Sequence, residues 1–335
     1  MSVPMRVLFV TNMWPDEVRP WYGSFVHSQA RSLEAIGLEV DVLAIRGYAS
    51  QWEYLRGAGE MVRRSLRARH DIVHAHYGHS AIIARLGLGR PLVVSYCGDD
   101  LLGTPTPGRP TEMTAASRRL ARTFAQVARV ASATITKSRQ MELELPESMR
   151  PRNHVIPNGV DLDFFKPIDR AQARRRLGWE AQEKVALFVG NPSNERKNHA
   201  LAERAVARAA AERPQLRLRV ASGIAPEDVP VWMSAADALV HPSWSEGSPN
   251  TVKEAMACEL PVVATPVGDV PERLDGIPGC HVAAADEEAF AAGVLDAIDH
   301  GRCPEARAAV AELSIDRVAH RVAAVYESVL RRDAG

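Results

Sequence analysis

Cysteine is scarce in this 335-residue chain, which has only Cys97, Cys258, Cys280 and Cys303. Their spacing fits neither a disulfide framework nor a zinc site, so reduced and mostly buried thiols are expected. Long apolar runs are also missing, since nothing approaches the ~20 residues needed to span a bilayer. The first residues lead directly into Val7-Leu8-Phe9-Val10. That run is too short for a secretory signal core, and a cytoplasmic location is expected, with the inner face of the membrane as an alternative that the basic first domain leaves open. Net charge is absent, with 41 Lys and Arg against 41 Asp and Glu. No aromatic-basic pattern is present, which argues against a nucleic-acid partner.

What remains is an ordinary globular composition, 46% apolar and 24% charged, in a chain long enough for two domains. The charge is unevenly spread. Up to Asn158 there are 20 Lys and Arg against 14 Asp and Glu, and the remainder has 21 against 27. Two halves with different partners are implied. Trp52-Glu53-Tyr54-Leu55-Arg56 through Arg63, Arg64, Arg67 and Arg69 is basic and partly amphipathic. It reads as a solvated face, with a membrane-surface or acidic-acceptor contact as the sharper alternative.

Short apolar runs alternate with amphipathic stretches. Strands are expected at 7–12, 40–45, 72–75, 92–96 and 133–136, with helices opening at Gly23, around 81–88 and over Thr111–Ala131. The pattern pauses at Pro157-Asn158-Gly159. It restarts with strands at 185–190, 216–221, 238–241 and 261–264, and ends in a helix over Asp316–Arg332. The spacing predicts an α/β protein with two consecutive doubly wound, Rossmann-like domains, 1–158 and 159–315. Ligands of such sheets bind at the carboxyl ends of the strands, here facing across a cleft.

The most informative stretch is Ser243-Trp244-Ser245-Glu246-Gly247-Ser248-Pro249-Asn250-Thr251-Val252-Lys253-Glu254. Ser248 reads as an N-cap with Pro249 at the first helical position. The amides of Asn250 and Thr251 would then open a helix end that favours phosphate. Glu246 and Glu254 bracket that end, and carboxylates suit hydroxyl-rich ligands. A ligand carrying both diphosphate and sugar hydroxyls fits both halves.

Other constellations carry less. Gly23 is either a turn glycine or a point of close backbone approach to a ligand. Arg196 and Lys197 read as a surface turn, although the end of a buried strand suits a diphosphate grip. His74 and His76 end the third strand, one expected to point into the helix layer and the other toward the cleft. A metal site there lacks further ligands and is rejected. Asp99 and Asp100 read first as turn caps and second as acid/base groups.

The segment from Glu246 to Thr265 resembles the E-x7-E region of glycosyltransferase family 4, retaining enzymes of the GT-B fold. Gly23-Ser24-Phe25-Val26, Asp71–His76, Pro157–Asp161, Phe164–Pro167 and Val189–Asn198 resemble other parts of that family in the same order. The Gly-Ser-Pro-Asn variant is similar to a subgroup that includes teichuronic-acid and other polysaccharide glycosyltransferases. The resemblance implies a hexosyltransferase using a nucleoside-diphosphate sugar as co-substrate, with no other cofactor and no metal. Glu246 would bind the donor sugar, Glu254 the ribose hydroxyls, and Lys197 with Arg196 the diphosphate. Gly23, Gly190, Asn191, Gly223, Ser248, Asn250 and Thr251 would complete the donor site. His76, Tyr77, Cys97 and Asp99 would lie on the acceptor side. The final helix, 316–335, would pack back on the first domain. The chain departs from the family at Asn191, where Arg is common, at Pro249, where Gly is common, and at Cys97, where His is common. Those departures motivate a rival reading, a catalytically silent nucleotide-sugar-binding protein. A sugar-nucleotide epimerase and a phosphorylase are rivals on the same architecture. The leading donor is a UDP-sugar. The acceptor is expected to be a glycan, a lipid-linked glycan or a small metabolite, and the basic first domain favours an anionic or membrane-bound one.

Overall fold

Runs of β-branched and apolar residues, each too short to bury itself, pair side by side in two parallel sheets covered by helices. The computed structural model describes residues 4–19, 21–67, 70–87 and 89–333. Arg69, Leu88 and the terminal residues 1–3 and 334–335 lie outside the described residues. The chain divides into two compact units. Unit 1 takes the chain up to Thr104, then Met113–Gly159 and everything from Ile315 onward. Unit 2 takes Pro105–Glu112 and Val160–Ser314.

The strands in chain order are β1 (Arg6–Thr11), β2 (Glu39–Ala44), β3 (Ile72–His76) and β4 (Leu92–Ser95), then β5 (Pro105–Thr106) and β6 (Arg109–Met113). They continue with β7 (Ala133–Thr136), β8 (Asn153–Val155), β9 (Lys184–Val189) and β10 (Leu216–Ala221). The last are β11 (Ala238–His241), β12 (Val262–Ala264) and β13 (His281–Val282). Each strand expected from sequence is present within one residue of its expected ends.

Unit 1 has strand order β2-β1-β3-β4-β7-β8. Strands β3, β4 and β7 are buried at every position, as a parallel sheet with helices on both faces requires. Leu8, Val10, Val73, Val94, Tyr96 and Phe124 are central to its core. The helix Ile315–Asp333 belongs to this unit, and its Val318, Val322, Val325, Tyr326 and Val329 are buried. Unit 2 has order β10-β9-β11-β12-β13, with Phe188, Leu201, Val240, Val263 and Phe290 in its core. In each of these two sheets the strand that comes first in the chain has a neighbour on either side, β1 between β2 and β3, and β9 between β10 and β11. The carboxyl ends of β1 and β3, and of β9 and β11, are therefore the switch points where such sheets bind ligands.

The helix expected over Thr111–Ala131 is shorter. It runs from Ala115 to Val127, with Thr114 Oγ1 accepting from the Ser117 amide at 3.0 Å as the N-cap. Residues before it form the β5–β6 hairpin, which turns at Pro107-Gly108 with Gly108 at φ 74°. The basic stretch from Trp52 to Arg67 is one continuous helix.

Candidate functional site

Two loops of unit 2 meet at its switch point. One leaves β9 through Gly190, the other leaves β11 at His241. Gly190 sits at φ 139°, open to glycine alone, and the Lys197 side chain lies against the side where a Cβ would project, at 3.8 Å. The first loop then makes a tight turn. Asn191 Oδ1 accepts from the Ser193 amide at 2.9 Å, and Asn194 Oδ1 accepts from the Arg196 amide at 3.2 Å. Asn198 in the left-handed region, φ 54°, ends the turn and starts the helix His199–Glu212.

The loops are tied together by backbone. The Trp244 amide donates to the Arg196 carbonyl at 2.9 Å, and Asn198 Nδ2 donates to the Pro242 carbonyl at 3.1 Å. This brings the cations to Glu246. Lys197 Nζ donates to Glu246 Oε1 at 2.7 Å, and Arg196 Nη1 donates to Oε2 at 2.9 Å and to the Ser245 carbonyl at 3.2 Å. Glu246 is 9% exposed. Burial pushes its carboxyl up, but Lys197 and Arg196 outweigh burial and hold it at about 2. It is a carboxylate at any working pH.

Pro249, at φ −69° and ψ 117°, is the N-cap of the helix Asn250–Ala257, and it has no side chain to cap with. Ser248 is therefore one residue outside the expected N-cap. Its Oγ instead accepts from Nζ of Lys253, which is 1% exposed. Asn250 and Thr251 are the first two helical residues, both half-buried. Glu254 is half-buried further along the helix, and burial raises its carboxyl to about 7, only partly offset by Lys253 and Lys197. Gly223 is exposed in the turn after β10, at φ 67° with open space around it.

Sequence reasoning missed two contributors here. Gly268, at φ 59°, packs so closely on the Glu246-Gly247 backbone that a Cβ would fall 2.5 Å from the Gly247 carbonyl oxygen. His241 is 2% exposed, with Nε2 buried, without a hydrogen-bond partner and 3.9 Å from Glu246 Oε1. A histidine closing a buried run looks locally like any packed histidine, so the sequence carried no signal for it.

In unit 1 the expected acceptor-side residues separate. His74 and His76 lie on one face, since residues two apart in a strand point the same way. The expected split between helix layer and cleft is corrected. Both are fully buried, their rings 4.2 Å apart. His74 Nδ1 meets the Tyr326 hydroxyl at 2.5 Å and Nε2 meets Ser95 Oγ at 2.8 Å, while His76 Nε2 meets Gln29 Oε1 at 2.7 Å. Burial holds both pKa values well below the ordinary histidine range. His76 is thus packed inside unit 1 rather than open to an acceptor.

Tyr77 is different. It is half-buried at φ 79° and ψ 146°, a positive-φ conformation rare for a tyrosine, immediately after β3. Burial raises its hydroxyl pKa, and Asp99 adds to the effect. Asp99 is exposed, whereas Asp100 turns inward and accepts from the Cys97 amide at 3.0 Å and the Gly98 amide at 2.9 Å. The pair therefore divides into one cap and one open carboxylate. Cys97 is half-buried, and burial pushes its thiol well up. Lys137, absent from the sequence reading, follows β7 and is 2% exposed, with its pKa lowered by burial and raised by Cys97 and Asp100. Gly23, at φ 73°, packs on the Met13-Trp14 backbone, where a Cβ would lie 2.3 Å from the Met13 carbonyl, so internal loop packing already demands glycine there. Among the described residues, no group of three or more His, Cys, Asp and Glu could hold a metal ion.

Comparison with known proteins adds to this geometry. Residues 6–164 match the family described as Glycosyltransferase Family 4, and residues 219–300 match Glycosyl transferases group 1. The chain is 24% identical over 330 residues to TuaC of Bacillus subtilis, a glycosyltransferase named for teichuronic acid biosynthesis, across 79% of this chain and 82% of that one. It is 28% identical over 312 residues to a D-inositol 3-phosphate glycosyltransferase of Thermobispora bispora, across 79% of this chain and 72% of the relative. Among solved structures it resembles Anabaena Alr3699/HepE in complex with UDP and glucose, with TM-score 0.72, 18% identity and coverage of 97% and 100%. The fold is GT-B.

Proposed function

This chain belongs to glycosyltransferase family 4, and we propose that it is a retaining, metal-independent enzyme using a nucleoside-diphosphate sugar. Its leading donor is a UDP-sugar, and it transfers the sugar to a hydroxyl of a glycan, lipid-linked or small-metabolite acceptor. One observation carries the reading: a buried carboxylate, Glu246, shares the unit 2 switch point with two cations, Lys197 and Arg196, one turn before the helix at Asn250. UDP and glucose, the ligands named with the Anabaena protein, have the matching chemistry of a diphosphate and sugar hydroxyls.

Breaking the bond between the sugar's anomeric carbon and the diphosphate oxygen builds negative charge on the diphosphate. Lys197, Arg196 and the helix start are placed to stabilise it. The sugar becomes oxocarbenium-like, and Glu246 holds its hydroxyls. Glu254 accepts from the ribose. The acceptor oxygen attacks the face the leaving group departs from, and its proton passes to the departing diphosphate oxygen, which gives retention.

The acceptor is assigned to unit 1, where the half-buried Tyr77 after β3 and the exposed Asp99 after β4 offer polar groups. The basic excess of the chain up to Asn158 suits an anionic acceptor, and a phosphate appears in the name of the inositol-phosphate relative. The helix Trp52–Arg67 adds a surface for peripheral membrane contact, with apolar and basic residues exposed together.

The test is a donor screen with product analysis. UDP-sugars are incubated with an acceptor panel, with and without EDTA, and the anomeric configuration of the product is read by NMR. Retention with EDTA-resistant turnover supports the reading. Inversion removes the mechanism. Absence of nucleoside diphosphate release from every donor favours a silent binding protein.

A further inference from the structure

Glu246 is held by the same two cations that a diphosphate would claim. Lys197 at 2.7 Å and Arg196 at 2.9 Å occupy one carboxylate oxygen each. An arriving diphosphate brings more charge to the same groups, so it must compete with Glu246 for them. A carboxylate that is 9% exposed cannot be left without a partner at small cost.

One further group faces it. His241 ends β11, is 2% exposed, and has its Nε2, an atom without a hydrogen-bond partner, 3.9 Å from Glu246 Oε1. A carboxylate displacement of about 1 Å closes that gap to hydrogen-bonding distance. Burial, then Lys197, depresses the His241 pKa to about 3, so the ring is neutral and carries a single N–H.

We infer that His241 is a positioning residue for Glu246, donating Nε2–H to the carboxylate once a diphosphate draws Lys197 and Arg196 away. Occupancy of the phosphate subsite is thereby coupled to release of Glu246 toward the sugar. Without ligand the carboxylate is parked on the cations. With ligand it is handed to the histidine and free to accept from sugar hydroxyls with its other oxygen. The inference rests on the reading of Lys197 and Arg196 as the diphosphate grip.

A double-mutant cycle with inorganic pyrophosphate as probe tests this by calorimetry, without any sugar transfer. Glu246→Gln removes the competitor and tightens pyrophosphate binding about tenfold. His241→Leu weakens binding about fivefold in the wild-type background and leaves it unchanged in the Glu246→Gln background. His241→Gln, which keeps an N–H near the Nε2 position, stays close to wild type. Equal weakening by His241→Leu in both backgrounds means a merely structural histidine and overturns the inference. So does pyrophosphate binding that Glu246→Gln fails to tighten, or absence of binding in all the proteins. If the cycle couples as expected but no sugar is transferred, the exchange stands and the proposed transferase activity falls.

Discussion

Lys197 Nζ lies 2.7 Å from Glu246 Oε1, an ion pair between residues 49 positions apart that spans the switch point of the second sheet. Lys197→Met keeps the stem and removes the charge. Transfer is expected to fall by about 10²–10³ in kcat, because the leaving diphosphate loses a preorganised cation. Lys197→Arg is expected to recover part of it. Steady-state release of nucleoside diphosphate measures both.

The same pair sets a pH signature. The Glu246 pKa falls from about 4.5 unfolded to about 2 in the fold, so its stabilisation is fully present above about 4.5. It is lost as pH falls through about 2. Glu246→Gln is expected to lower stability at pH 7 by about 1–3 kcal/mol and to flatten the acid limb of a urea-midpoint curve between pH 5 and pH 2 by about that amount.

Glu254 has the opposite sign. Burial raises it to about 7, so in the free protein it is protonated below that pH. Ribose hydroxyls donate to the ionised form, so donor binding is expected to release a proton there. Affinity for a UDP-sugar should then weaken about tenfold per pH unit as pH drops from about 6 to about 5. In Glu254→Gln this pH dependence disappears. Calorimetry in buffers of different ionisation enthalpy counts the proton directly.

The parallel strands were legible because central strands of a covered sheet are uninterrupted apolar runs, as at Val185–Val189 and Ala238–His241. The Glu246 loop was legible through its spacing before a helix. Side-chain partners were not, since Lys197 reaches Glu246 only when two distant loops are pinned by the Trp244 amide and Asn198. His241 in a buried run has the same local pattern as any packed histidine. The face of His76 was readable from the two-residue period of a strand, and that period corrects the assignment. Ser248 was misplaced by one residue because Pro249, unable to donate at the first helical position, serves equally at the cap.

His74 and His76 give a stability prediction. Their pKa values are held well below the ordinary value by burial, so their stabilising share is present above pH about 6.5 and is lost as pH falls. Urea unfolding is expected to show stability dropping by up to about 1.4 kcal/mol per pH unit for each histidine between pH 6.5 and pH 5. Tyr326→Phe strips His74 Nδ1 of its partner on the final helix and is expected to cost about 1–3 kcal/mol at pH 7.5. His76→Phe should remove one histidine's share of the acid slope. An unchanged slope would place His76 in contact with solvent.

The helix Trp52–Arg67 supplies the last prediction. Trp52, Leu55, Val62 and Leu66 recur at helical spacing and are 73%, 63%, 38% and 73% exposed, while Gly57 and Met61 on the other face are buried. Arg56 and Arg63 flank the apolar strip, each paired with a glutamate three residues earlier at 3.0 Å and 2.6 Å. Such a strip gains from entering an interface, and the arginines gain from anionic headgroups while their aliphatic stems stay against the lipid. Sedimentation with phosphatidylglycerol vesicles should bring the protein down, and neutral phosphatidylcholine vesicles should do so much less. Leu55→Glu with Leu66→Glu removes apolar contact and adds repulsion, and is expected to lower partitioning about tenfold or more. Raising salt weakens only the charge part, so about half a molar should reduce binding without abolishing it. Equal sedimentation with both lipids, or none with either, means that the strip faces something other than a charged bilayer.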